Sequence, residues 1–259
     1  MIAAFPMYDW PEEHAANDAF WSRVRAALGD QAAPLHLTRD RPFDAIWQDP
    51  QMLLAQTCGL PFVQGRCGTA IVIARPDYDV EGAGDGTYRS ALICRTGAGA
   101  KLADFQGKRA AINEFGSQSG CNALTDAVLE IGGKDAFFAS INITGAHRNS
   151  ALAVANGEAD IAAIDAVAWA LFKNHEPRAA ENLSVLEWTR PMPALPFITA
   201  TSQSGHVDIL RSALAQAANA DTPGIPAGIL PANAQTYAPI ADMAQRLKGR
   251  RLAPETAAL

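Results

Sequence analysis

Charge is scarce in this sequence. Asp, Glu, Lys and Arg make up 19% of its residues, the net charge is −6, and no basic cluster exceeds Lys248-Gly249-Arg250-Arg251. Binding nucleic acid needs a basic patch, so that class of partner is excluded. The short basic run suits a solvated helix end, where cations complement the helix dipole. Cysteine is sparse too: Cys58, Cys67, Cys94 and Cys121 lack the paired spacing of a zinc site. A Cys58–Cys67 bridge is conceivable in an oxidising compartment, but free, partly buried thiols are the expectation. Long apolar runs are missing as well. No window reaches the roughly 18 residues of a membrane span, and the best candidate, Ile161 to Phe172, is interrupted by Asp165. Membrane insertion is therefore not expected. There is no GxGxxG loop, no metal-ligand spacing and no defensible Ser/His/Asp set, so neither cofactor nor metal is expected. The N-terminal Met1-Ile2-Ala3-Ala4-Phe5-Pro6 starts the fold at once, without the features of a secretory leader. The expected location is periplasmic if a leader has been removed and cytoplasmic otherwise.

What is present is enough apolar material for a core and a regular rhythm of elements. The 259 residues, 49% of them hydrophobic, can build one large domain or two ordinary ones. Ile2–Phe5 reads as a strand stopped by Pro6, and 18–28 as a helix ended by Gly29. Leu35-His36-Leu37 reads as a strand, Gln51–Gln56 as a short helix, and Thr69–Ala74 as a strand. Tyr88–Arg95 follows the Gly-rich turn Glu81–Gly86 as another strand. From there strands at 109–113, 137–143, 160–164 and 184–188 alternate with helices at 119–131, 148–157 and 166–174. Pro191, Pro193 and Pro196 mark a connector, after which Phe197–Ala200 is a strand and Val207–Ala217 a helix. Strands alternating with helices predict an α/β fold of mainly parallel sheets flanked by helices, with ligand crevices beyond the strands' C-terminal ends. The chain then divides into a discontinuous lobe of residues 1–80 plus 190–259 and a second lobe of 88–187. The linkers fall near 81–87 and 188–196.

The most informative stretch is Asn113-Glu114-Phe115-Gly116-Ser117-Gln118-Ser119-Gly120-Cys121-Asn122, between a strand and an amphipathic helix. A helix start collects free backbone N–H groups that can face an anion. Ser117 and Ser119 add hydroxyls, while Gly116 and Gly120 admit a ligand close to the main chain. An ordinary N-cap explains the same residues, and on the residues alone both readings stay open. Tyr8 and Asp9 follow the first strand; Tyr8 can stack on or hydrogen-bond a ligand, and Asp9 can accept from one or cap a helix beginning at Pro11. Thr57 offers a second wall. Alternation places Tyr88 and Arg89 on opposite faces. His147, after the strand 137–143, can donate to an oxyanion or pack against a helix start. Asp165 can cap a helix or accept from a ligand amine or hydroxyl.

Six short pieces carry a family resemblance: Pro6-Met7-Tyr8-Asp9, Gln56-Thr57-Cys58-Gly59, Tyr88-Arg89-Ser90, Gly116-Ser117-Gln118-Ser119-Gly120, Gly145-Ala146-His147-Arg148-Asn149-Ser150 and Gly157-Glu158-Ala159-Asp160. Together they resemble the phosphate/phosphonate substrate-binding proteins of ABC transporters, which have a type II periplasmic-binding-protein fold. The resemblance implies two α/β lobes that close over a ligand in the cleft between them. It implies that Ser117, Ser119 and Gly120 hold a phosphate or phosphonate group and that His147 faces the same pocket. It also favours Tyr88 over Arg89. Gln118 stands where the family more often has Thr, and the acidic set that would meet an aminophosphonate's ammonium reduces to the candidates Asp9 and Asp165. The implied partners are a small anionic solute and an ABC permease. The alternatives are a cytosolic enzyme on the same fold, as in menaquinone and thiamine-precursor pathways, or an intracellular ligand sensor.

Overall fold

The computed structural model describes residues 1–29 and 33–254. In chain order the strands and α-helices are β1 (Ile2–Ala4), α1 (His14–Leu28), α2 (Phe43–Trp47), β2 (Met52–Gln56), α3 (Gly59–Val63), β3 (Ile71–Asp77), β4 (Ala83–Gly84), β5 (Thr87–Tyr88) and β6 (Ser90–Arg95). There follow β7 (Arg109–Ile112), α4 (Ala123–Glu130), β8 (Ser140–Ile143), α5 (His147–Ala155), β9 (Ile161–Asp165), α6 (Ala166–His175), α7 (Pro177–Ala180) and β10 (Leu183–Trp188). The chain ends with β11 (Met192–Pro193), β12 (Phe197–Thr199), α8 (Val207–Ala217), β13 (Gly228–Pro231) and α9 (Ala238–Leu247). It divides into two compact units. Unit 1 is Met1–Thr87 with Met192–Ala241, and unit 2 is Tyr88–Pro191 with the chain from Asp242 onward.

Unit 1 has the sheet order β1-β2-β12-β3-β13. Its core gathers Phe5, Phe20, Trp21 and Phe197, with Phe5 ring centroids 5.5 to 6.0 Å from the other three. Unit 2 has the order β10-β6-β9-β7-β8, and Phe105, Ile112, Leu124 and Phe138 lie in its core. The sheets are mixed rather than mainly parallel. β1 and β2 are parallel, as are β7 with β8 and with β9, because a helix or helical turn returns the chain between them. β6 and β12, the first strands after the two connectors, pair antiparallel with both neighbours.

Three local readings are corrected. Met52–Gln56 is a strand buried along its whole length, not a helix; a short all-apolar run has no period that separates the two. Leu35–Leu37 forms no strand, although Leu37 joins the core and the Thr38 N–H bonds the Ala3 carbonyl at 2.8 Å. The strand read at 137–143 is confined to Ser140–Ile143, because Phe137 and Phe138 turn into the core. The residues from Asp242 onward lie in unit 2, where the sequence boundaries had put 190–259 with the first lobe. Their hold on unit 2 is specific: Ala136 and Phe138 donate backbone N–H bonds to Arg251 and Leu252, both at 2.8 Å, and Leu252 enters the core.

Candidate functional site

Unit 2 gathers its polar residues at one edge of its sheet. β7, β8 and β9 are parallel, so their C-terminal ends lie together, and antiparallel β6 brings its N-terminal end to the same edge. The chain leaves β7 through Asn113–Gly116 and enters a single π turn, Gln118–Asn122, that leads into α4. Ser117 is its cap in extended conformation, and the Ser117 Oγ accepts from the Gly120 N–H at 3.0 Å. The turn closes through an Asn122 N–H to Ser117 carbonyl bond of 3.1 Å. The Gln118 and Ser119 N–H groups, the first of the turn, have no acceptor among the described residues. Gly120 is closely packed: a Cβ there would stand 1.9 Å from Asn113 Oδ1 and 3.2 Å from Ser117 Oγ, so those side chains would have to shift.

His147 opens α5, and its Nε2 lies 2.7 Å from Ser119 Oγ. Burial pushes its pKa down to about 4, opposed by the Ala163 backbone, while no group is aligned to hydrogen-bond its buried Nδ1. The imidazole is therefore neutral at pH 7, with one donor and one acceptor nitrogen. If Nε2 carries the proton, it donates to Ser119 and leaves that hydroxyl hydrogen for an anion. Asp165 Oδ1 caps α6, accepting from the Val167 and Ala168 N–H groups at 2.9 and 3.2 Å. Tyr88 is buried at the end of β5, two residues ahead of β6; Arg89 is exposed and donates to the Thr189 carbonyl at 2.9 Å.

Gln118 is placed differently from the expectation of a ligand donor. Its side chain is fully buried, its Nε2 donating to Met243 Sδ and its Oε1 accepting from Asn122 Nδ2. Only its backbone N–H remains at the mouth of the turn. Two residues of this edge were not among the sequence candidates. Asn113 Oδ1 and Ser90 Oγ are buried without a hydrogen-bond partner among the described residues. Ser90 faces Asp165 across the β6–β9 pairing, and the only sequence signal was its place beside Tyr88.

Tyr8, Asp9 and Thr57 belong to unit 1, beyond the C-terminal ends of β1 and β2. Tyr8 is buried edge-on against Tyr78, with centroids 5.5 Å apart. Asp9 does not cap the helical turn at Pro11, whose cap residue is Trp10. Its carboxylate instead takes Arg39 Nε at 2.6 Å and Asn17 Nδ2 at 2.9 Å. Thr57 is buried, its Oγ1 donating to the Cys58 carbonyl at 3.2 Å and lying 3.6 Å from Cys67 Sγ. All four cysteines are free thiols, and burial pushes the Cys67 thiol up to about 11. Among the described residues no cluster could hold a metal ion, and no helix is long and apolar enough to cross a membrane.

The chain belongs to the family described as "ABC transporter, phosphonate, periplasmic substrate-binding protein", whose model matches residues 5–243. That family is one of binding proteins and gives no support to an enzyme on this fold. No curated protein matches the sequence. The chain is similar in fold to PhnD1 from Prochlorococcus marinus in complex with methylphosphonate, with a TM-score of 0.73 at 14% identity over 95% of this chain and 97% of that one. A Xanthomonas citri protein bound to ATP gives 0.69 at 16% identity, over 96% and 98% of the two chains. The binding component of an ABC phosphonate transporter from Pseudomonas aeruginosa gives 0.68 at 16% identity, over 93% and 84%.

Proposed function

We propose that the Ser117–Gly120 turn holds the tetrahedral head of a phosphonate or phosphate anion. The observation that carries this reading is the pair of acceptorless N–H groups, on Gln118 and Ser119, beside two serine hydroxyls. Ser117 accepts from Gly120 and keeps its own hydroxyl hydrogen for the ligand. Ser119 is oriented by His147, whose ring is neutral and so adds no formal charge to the site. The turn itself contains no Lys or Arg. Binding then rests on aligned dipoles and charge-assisted hydrogen bonds, each contributing about 1.5–3 kcal/mol when the acceptor is ionised. Four such bonds at about 2 kcal/mol would match a micromolar Kd before ordering costs are subtracted.

Ser117, Ser119, Gly120 and His147 form the proposed head-group set, with Tyr88 at the same sheet edge. The methylphosphonate of the Prochlorococcus relative supports this ligand class. Isothermal calorimetry with methylphosphonate, phosphate and sulfate tests it. Micromolar binding of at least one anion, weakened at least about tenfold in Ser117→Ala/Ser119→Ala, is the expected result. Absence of binding to all three, or a double variant indistinguishable from the parent, ends the reading. Delivery to an ABC permease and residence in the periplasm follow from the family and are part of the same proposal. Reconstituted transport with a cognate ABC permease checks them.

A further inference from the structure

The serine turn is held by side chains for which head-group contacts do not account. Gln118 is fully buried at the first position of the π turn, where an apolar side chain would avoid the desolvation of an amide. Its Oε1 accepts from Asn122 Nδ2 at 3.2 Å, tying the first residue of the turn to the last. Its Nε2 donates to Met243 Sδ at 2.9 Å, tying the turn to α9. Eight residues along, the buried Asp126 carboxylate takes Arg190 Nε at 2.7 Å and is also paired with Arg246. Met243 and Arg246 are three residues apart on α9 and share a face. The turn and the helix behind it are thus fastened to α9 at two points. Helix α9 is also where the chain passes from unit 1 to unit 2, between Ala241 and Asp242, and Arg190 stands just ahead of the crossing at Pro191 and Met192.

A thioether is a weak acceptor, so this use of a buried amide contributes little to stability for what it costs. A π turn is rare and tends to mark a functional position. Both features have one explanation. We propose that Gln118 is a positioning residue, bracing the turn on α9 so that the Gln118 and Ser119 N–H groups keep the geometry that receives an anion. Occupancy of the turn and seating of α9 on unit 2 are then coupled, and the coupling is reciprocal: the factor by which the anion tightens α9 equals the factor by which a loosened α9 weakens the anion. This rests on the anion-binding reading above.

Hydrogen exchange of the full chain with and without methylphosphonate, alongside calorimetry, tests it. In the parent protein the ligand should slow exchange both in the turn and along residues 243–247. Gln118→Met keeps the side chain's length and removes its amide. It should weaken methylphosphonate about tenfold and lose the ligand-dependent slowing in α9, while the turn stays protected at saturation. Met243→Leu, a volume-conserving change, should do the same, and the double variant should be no worse than either single one. If Gln118→Met does not fold, Met243→Leu carries both readouts. Affinity within twofold of the parent in these variants overturns the proposal. So does a parent protein in which the ligand protects the turn and leaves α9 unchanged. A ligand that protects neither segment overturns the head-group reading itself.

Discussion

Unit 1 and unit 2 are built alike, each a five-stranded sheet with helices packed on it and polar side chains gathered beyond strand ends. They treat those side chains differently. In unit 1 the groups are closed on one another: Asp9 with Arg39 and Asn17, Thr57 with Cys58 and Cys67, and Gln56 with the Tyr78 hydroxyl at 2.9 Å. In unit 2 the corresponding edge keeps two N–H groups without an acceptor and a neutral histidine with an unmatched nitrogen. Buried polar groups are ordinarily matched, and on the reading proposed above a ligand supplies the acceptor that the Gln118 and Ser119 N–H groups lack. The proposed anion-binding groups all belong to unit 2.

The sharpest way to break that comparison is a methyl group placed in each unit. At Gly120 a Cβ meets Asn113 Oδ1 at 1.9 Å and Ser117 Oγ at 3.2 Å, so two side chains that flank the proposed anion site must yield. Gly120→Ala should cost about 2–3 kcal/mol of stability and remove measurable binding of methylphosphonate. At Gly59 a Cβ meets Ile240 Cδ1 at 2.3 Å, but that atom is the far end of a flexible side chain. Gly59→Ala should cost less than about 1.5 kcal/mol and leave affinity within threefold. Urea unfolding and calorimetry on the two variants measure both quantities. Equal loss of binding in the two would remove the distinction between the units.

Hydroxyl deletions sharpen the contrast by a smaller amount. Ser117→Ala should lower affinity about tenfold, the loss of one charge-assisted hydrogen bond. The same variant also loses the acceptor for the Gly120 N–H, so a fall in melting temperature should accompany it. Thr57→Val in unit 1 should lower stability by about 1 kcal/mol and change affinity less than threefold, because its hydroxyl faces Cys67.

The sequence displayed the turn more clearly than its environment. A strand, a Gly/Ser segment and an amphipathic run are local features, and a polar turn opening a helix was readable from them. The α/β class was legible because helix and strand periods alternate. What failed depended on long-range contacts. Whether Met52–Gln56 was strand or helix is decided by its neighbours β1 and β12, which come from opposite ends of the chain. The return of the chain to unit 2 after Asp242 depends on Arg246 meeting Asp126 and on Leu252 meeting Phe138, pairs more than a hundred residues apart. The commitment of Asp9 to Arg39 and the turning inward of Gln118 are likewise tertiary facts with no local signal.

A pH series separates two titrating groups within unit 2. The His147 pKa lies at about 4 in the folded chain, below its ordinary value of 6.5. A depressed pKa means that the unfolded chain binds the proton first, so the contribution to stability is complete above pH 6.5 and falls away as pH drops towards 4. Asp160, paired with Arg109 and held down to about 2, gives a contribution complete above 3.8 and lost as pH falls towards 2. Stability measured from pH 8 to 4.5 should therefore decline mainly below 6.5. His147→Gln should flatten that decline, and a slope unchanged in the variant would assign the titration elsewhere.

The smallest expected effect lies in unit 1 and concerns a residue that the sequence offered as a ligand acceptor. Asp9 takes Arg39 through both guanidinium nitrogens, at 2.6 and 3.2 Å, and its hydrogen bond raises the Arg39 pKa further. The pair is partly exposed, with 28% of the Arg39 side chain and 10% of the Asp9 side chain accessible. Solvent screening then limits its value to about 1 kcal/mol, and Asp9→Asn should cost no more than that. Because both carboxylate oxygens already have donors, the same variant should leave methylphosphonate affinity within twofold. Added salt should erase part of the stability difference, as it does for exposed pairs. A tenfold loss of affinity in Asp9→Asn, with stability unchanged, would show that the carboxylate leaves Arg39 to meet the ligand, and would return to unit 1 a donor-accepting role that its resting geometry conceals.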